Sequence, residues 1–164
     1  MTYYRAVAPV DAAAAPNPSH IGVLVVNLGT PDSPSYFAVQ RYLREFLGDR
    51  RVINTSPLFW RPLLYGVILP LRPFRTARKY RKIWLPEGSP LAVYSRRLSA
   101  KIGAVLRADL GDRVCVELAM TYGNPSIAAA LERFAAQNIR KLLVLPLFPQ
   151  YCSSTTGSVF DRTT

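Results

Sequence analysis

Histidine occurs once in this 164-residue chain and cysteine twice, so the side chains that most often build metal centres and nucleophilic relays are nearly missing. Cys115 and Cys152 suffice neither for a disulfide framework nor for a four-ligand zinc site, and both read as free thiols suited to a reducing compartment. The one histidine, His20, precedes the first apolar run, on the opposite side of any sheet from the strand ends where a ligand would bind, and reads as an exposed linker residue. There is no His/Cys/carboxylate cluster and no Gly-x-Ser-x-Gly elbow, which removes the usual carriers of metal-dependent and serine hydrolysis. Neither Gly-x-Gly-x-x-Gly nor Gly-x4-Gly-Lys-Ser/Thr is present, so nucleotide binding has little support.

Long hydrophobic runs are lacking too. The most apolar segment after the first strand, Leu63 to Leu71, is nine residues long and contains Pro70, whereas a bilayer span needs about 20. The first 20 residues have no basic start followed by a continuous apolar core, and their Ala, Pro and Asn content reads as a flexible tail without an export signal. Negative charge is also scarce: 10 Asp and Glu against 21 Lys and Arg give a formal charge of +11. Such a balance suits an anionic partner, be it nucleic acid, lipid or a small molecule. The densest cations, Arg72, Arg75, Arg78, Lys79, Arg81 and Lys82, surround Tyr80. No nucleic-acid-binding motif accompanies them, so no nucleic-acid partner is expected and a solvated helix face is the plainer account for the outward members.

What is present is an alternation of buried strands and amphipathic helices. The run "IGVLVVNL" from Ile21 reads as a strand that ends in the turn residues "GTPDSP". "PSYFAVQRYLREFLGD" follows with Phe37, Tyr42, Leu43, Phe46 and Leu47 at helical spacing and Gly48 placed to end the helix. Residues 50–87 form a proline-punctuated excursion with short helices expected around Leu63 to Leu69 and Thr76 to Trp84, and its length points to a functional role. A longer helix starts at "GSPLAVYS", then come a strand at "RVCVELAMTYG", a helix at "PSIAAALERFAAQ", a third strand at "KLLVLPLF" and a helix begun at "TTGSVFD". This order predicts an α/β fold with a parallel sheet covered on both faces, and ligands in such sheets bind beyond the carboxyl ends of the strands. The loops to inspect are "NLGTPDS", "MTYGNPS" and "FPQYCSSTTGS". Each could present helix amino-terminal N–H groups to an anion. Taken singly, each could equally be a tight turn at Gly29, Gly123 or Gly157 with Asp32, Asn124 and Thr155 or Thr156 as helix caps.

Taken together, "VLVVNLGTPDSP", "YLREFLGDRRV", "EGSPLAVYS", "AMTYGNPSI" and "VLPLFPQYCSSTTGSV" closely resemble the amino-terminal half of ferrochelatases, the enzymes that insert ferrous iron into a porphyrin. The likeness runs from about Ile21 to Asp161, with five motifs in the same order and at similar separations. It implies a doubly wound, chelatase-like parallel sheet: a flexible tail over 1–20, then a truncated first domain of a two-domain fold over 21–164, with a porphyrin-cleft lip at about 50–87.

A porphyrin is a broad apolar disc with propionates on one edge, so its pocket needs apolar and aromatic walls with a few cations and hydroxyls at the rim. The resemblance assigns porphyrin contact to Leu28, near the centre of the macrocycle, to Arg72, Tyr80 and Ser89, and to Tyr122, Tyr151 and Ser154 on the pocket side. Relatives with tyrosine or methionine at the position of Leu28 can approach the metal there, and leucine cannot. Thr121 stands where many relatives carry arginine. Cys152 is one position away from a cysteine used by cluster-binding members, whose register falls on Ser153, so no iron–sulfur cluster and no other cofactor is assigned. Fe²⁺ and porphyrin enter as substrates.

The family's base or metal-ligand histidine and its partnering glutamate fall beyond Thr164, so no catalytic residue and no metal ligand is assigned within the chain. The expectation is therefore a ferrochelatase fragment from the last step of haem biosynthesis, forming haem from protoporphyrin IX in the parent protein and inactive alone. Its partners would be the carboxy-terminal half of the same protein and a peripheral membrane surface at the lip, in a cytoplasmic setting. A non-catalytic porphyrin- or haem-binding module is the alternative. The isolated chain is expected to be weakly stable, with a normally covered edge strand exposed.

Overall fold

The computed structural model describes residues 20–164; all of the 1–20 tail except half-buried His20 lies outside them. Three strands pair in parallel, β1 (Ile21–Thr30) at the centre, β2 (Val114–Gly123) on one side and β3 (Lys141–Pro146) on the other. The register sets Ile21 opposite both Val114 and Lys141, and Val26 opposite both Ala119 and Pro146. A strand with neighbours on both sides and helices on both faces has no wet face, which is why "VLVV" can be continuously apolar. Val23, Leu24, Val25 and Val26 are all at most 3% exposed. Each such burial contributes about 1.5–3 kcal/mol.

Alternate residues of β1 feed separate cores. Val23 and Val25 pack with Val114, Ile102 and Leu106 under α4 (Pro90–Leu110), while Leu24 and Val26 pack with Ala119, Ile127, Ala130 and Phe134 under α5 (Ile127–Ala136). The doubly wound arrangement read from the sequence is thus present. α4 approaches the sheet through Ser95, Ser99 and Gly103, buried at four-residue intervals. Small side chains on one helical stripe let the backbone lie close to the strands.

A third core lies past the carboxyl end of the sheet. α1 (Tyr36–Gly48) is capped by Ser35, whose hydroxyl accepts the Ala38 N–H, and it buries Val39, Tyr42, Leu43 and Leu47 against Tyr122 and the excursion. Phe37, expected on that apolar stripe, is 75% exposed instead. It precedes the buried stripe by two residues, a spacing that points elsewhere on a helix.

The excursion is more continuously helical than the sequence suggests. α2 (Pro57–Leu63) runs into a π-turn over Leu64–Ile68 and then α3 (Leu69–Ile83), in place of two short helices. Pro57 stands in the first turn of this run, where a missing N–H costs nothing. Pro73 lies deeper and leaves the Leu69 carbonyl without its i→i−4 donor. Two side chains of α1 replace that donor: the Gln40 amide donates to the Leu69 carbonyl at 3.2 Å, and the Tyr36 hydroxyl approaches it at 3.4 Å and the Pro70 carbonyl at 3.2 Å. The Trp60 indole N–H donates to the Leu47 carbonyl at 2.8 Å and ties α2 to the end of α1.

β3 has one unpaired edge, and Leu142, Leu143 and Leu145 are exposed along it. The helix begun at "TTGSVFD" consists of a π-turn over Ser153–Gly157 and α6 (Ser158–Thr163).

Candidate functional site

The carboxyl ends of the strands, α3 and the turn after α1 meet around the third core. Leu28 is half-buried there with Val52, Ile53, Trp60 and Tyr80 around the same cluster. Its placement comes from a local break in the ladder. Asn27 pairs with Met120 and Gly29 with Tyr122, but Leu28 and Thr121 do not pair. The Asn27 side chain accepts the Leu28 N–H at 2.8 Å and donates to the Ser95 hydroxyl at 2.9 Å. The Thr121 hydroxyl, almost fully buried, donates to the Asn27 carbonyl at 3.2 Å. A short hydroxyl thus satisfies the broken ladder at this point.

Tyr80 is half-buried, its ring edge-on to Trp84 at 6.0 Å. Burial raises its phenol pKa, and the nearby Thr30 hydroxyl partly offsets this. That hydroxyl is buried and lacks a partner in hydrogen-bond geometry. Arg72 is exposed on α3 and forms no ion pair among the described residues. Tyr151 is 68% exposed, and Ser154 is half-buried with its hydroxyl 3.2 Å from the Cys152 sulfur. Donation from Ser154 lowers the Cys152 thiol pKa.

Two of the expected contacts are occupied with structural work. Ser89 is 2% exposed, and its hydroxyl accepts the Ala92 N–H as the cap of α4. Tyr122, expected on the pocket side, has no exposed surface; its hydroxyl donates to Asp49 at 2.7 Å and lies 3.3 Å from the Ser158 hydroxyl. Its pKa is pushed up to about 12, mainly by burial, with Asp49 adding to the rise and Ser158 opposing it. The Arg162 guanidinium sits 4.9 Å from the Tyr122 ring centroid. The physical reason is geometric: Tyr122 alternates onto the side of β2 that faces α1, where Phe46 meets it edge-on at 5.3 Å. Leu28, Tyr80 and Tyr122 thus share one cluster, whereas Arg72 and Tyr151 face solvent.

A separate cavity of about 400 Å³ lies between Thr30 to Asp32, α1 and Gly123–Asn124. Its polar groups brace one another: Arg41 pairs with Asp32 at 2.8 Å, the Asn124 amide donates to Asp32 at 3.0 Å, and the Gly123 N–H donates to Glu45 at 2.9 Å. None of the seven residues assigned to porphyrin lines it. Among the described residues no group of three or more His, Cys, Asp or Glu side chains is placed to hold a metal ion.

Two residues outside the expected set join distant segments: in "YLREFLGDRRV", Asp49 takes the Tyr122 hydroxyl and Arg51 pairs with Asp161. The Arg51 hydrogen bond holds the Asp161 carboxyl below the usual carboxylate range. Nothing in local spacing reveals partners 73 and 110 residues apart.

A parallel sheet wound on both faces, with the ends of its strands packed against α1, α2 and α3, defines a doubly wound α/β unit. A ferrochelatase family model matches residues 20–164, and the chain belongs to the ferrochelatase family. It is 56% identical over 139 residues to the ferrochelatase of Xanthomonas axonopodis pv. citri (strain 306), covering 85% of this chain and 42% of that protein. The ferrochelatase of Hamiltonella defensa subsp. Acyrthosiphon pisum (strain 5AT) is 53% identical over 143 residues, covering 87% and 43%. That of Yersinia pestis (strain Pestoides F) is 53% identical over 140 residues, covering 85% and 42%. The chain spans less than half the length of these curated relatives.

Proposed function

We propose that this chain supplies one wall of a porphyrin cleft in a protein that inserts Fe²⁺ into protoporphyrin IX. The observation that carries the reading is the family match over residues 20–164, in a chain whose matching loops gather at the carboxyl end of the sheet. The reaction exchanges two pyrrole protons for the metal, so porphyrin and Fe²⁺ give haem and two protons. In this reading Leu28 and Tyr80 form the apolar and aromatic wall, and Arg72 and Tyr151 take the propionate rim, where a guanidinium and a phenol suit carboxylates. Ser154 adds a hydroxyl beside Tyr151. Ser89 and Tyr122 act behind the wall, holding α4 and the turn after α1.

Bending the macrocycle and accepting its protons need a base, and the five side chains named offer no carboxylate or imidazole: their ionisable groups are an arginine and phenols. The remaining part of the relatives' length would supply that base and the opposite wall. The chain alone would then bind porphyrin without inserting metal. Titrating protoporphyrin fluorescence with the purified chain should give saturable quenching, and added Fe²⁺ should yield haem no faster than in buffer. Absence of quenching, or haem formation above the uncatalysed rate, would sink the proposal.

We also read the lip as a peripheral membrane surface, in a protein otherwise placed in the cytoplasm. Leu58, Phe59, Leu63, Tyr65, Val67, Leu71 and Phe74 are exposed along it, and no described helix is long and apolar enough to cross a membrane.

A further inference from the structure

The turn after α1 touches both halves of the proposed wall. On one side Val52 and Ile53 pack on the cluster that holds Leu28, Trp60 and Tyr80. On the other, Arg51 crosses to the segment that follows Tyr151. Its Nε and Nη2 donate to the two carboxylate oxygens of Asp161, the Nη2 bond at 2.7 Å, and its Nη1 lies 3.4 Å from the Ser153 hydroxyl. The same guanidinium covers Gly157, where a Cβ would come within 3.0 Å of Nη1.

Asp49 fixes the turn that aims Arg51. One of its oxygens accepts the Arg51 N–H at 2.8 Å and the other the Tyr122 hydroxyl at 2.7 Å, while its carbonyl accepts from Val52 and Ile53 at 3.1 and 3.0 Å. The Arg51 and Asp161 side chains are 36% and 55% exposed, so their pair adds little to global stability. Its bidentate geometry specifies position instead, which a lysine cannot reproduce.

We propose that Arg51 is a positioning residue that clasps the Tyr151 to Ser154 wall to the root of the lip through Asp161 and Ser153, with Asp49 holding it in place. What the wall binds rests on the porphyrin reading; the clasp itself does not.

Hydrogen–deuterium exchange on the full chain tests it. The Thr155 and Gly157 amides, both donating to the Cys152 carbonyl, are the natural reporters. Arg51→Ala and Asp161→Arg should each speed exchange across this segment by about threefold or more, a factor in line with losing one exposed, well-aligned pair. Exchange in β1 and α5 should stay unchanged. The swapped pair Arg51→Asp with Asp161→Arg should restore slow exchange, and Arg51→Lys should restore it only in part. Porphyrin quenching should weaken in the single variants and recover in the swapped pair.

Unchanged exchange in Arg51→Ala, or a swapped pair as fast as the singles, overturns the clasp. Should the parent chain fail to quench porphyrin while exchange behaves as stated, the porphyrin reading falls and the clasp stands. If exchange quickens yet porphyrin affinity does not change, Arg51 has no positioning role and the porphyrin reading survives.

Discussion

Gly29 and Tyr122 show how closely the strand ends are fitted. A Cβ on Gly29 would stand 1.8 Å from the Tyr122 carbonyl oxygen, and its φ of +107° is one that other residues rarely adopt. Gly29→Ala should therefore destabilise the chain by about 3 kcal/mol or more, combining strain with a backbone clash. Thermal melts followed by circular dichroism check this, and an unchanged midpoint would contradict the described strand ends. At this scale the sequence was partly legible. The motif "NLGTP" marked the end of β1 to within two residues, the strand running on through Gly29 and Thr30 into the expected turn, because an apolar run meeting turn chemistry is a local signal. The burial of Tyr122 and Ser89 was not legible. A tyrosine serves a pocket or a core equally well, and only the distant partners Asp49 and Ser158 decide which. Likewise Thr121 reads as a lost cation in the sequence, while its contact with the Asn27 carbonyl shows a backbone role.

At the scale of elements, alternating strands and helices were readable because burial imposes period 2 or 3.6 on the sequence itself. The boundaries of β1, α1, α4, β2 and α5 follow from runs, caps and glycines that lie next to one another. The excursion was harder, since its prolines argue against helix unless something outside the segment satisfies the carbonyls they orphan. Its exposed side chains lead to a measurable expectation. Lip residues such as Phe59 and Leu63 should carry the chain onto phospholipid vesicles in cosedimentation, and Leu58→Ser with Phe59→Ser should cut the bound fraction severalfold. Equal binding by parent and variant would remove the lip from the membrane reading.

For the whole molecule the sheet is the decisive object. Three parallel strands with one short outer strand leave backbone donors and acceptors open along β3, flanked by Leu142, Leu143 and Leu145. Parallel sheets are ordinarily covered on both faces, so this edge is an association hazard. The chain in isolation should form aggregates that grow with concentration in light scattering, and Leu143→Lys should suppress them; a monodisperse parent at high concentration would refute this. Family membership was legible because five separated motifs keep one order, whereas the exposed state of β3 depends on which neighbours it meets in space. The join between α1 and the lip has a further meaning at this scale. The carbonyl that Pro73 orphans is answered by Gln40 and approached by Tyr36, so α3 is not self-sufficient in its first turn. Support there comes from another helix, and a disturbance of α1 reaches α3 without passing through the sheet.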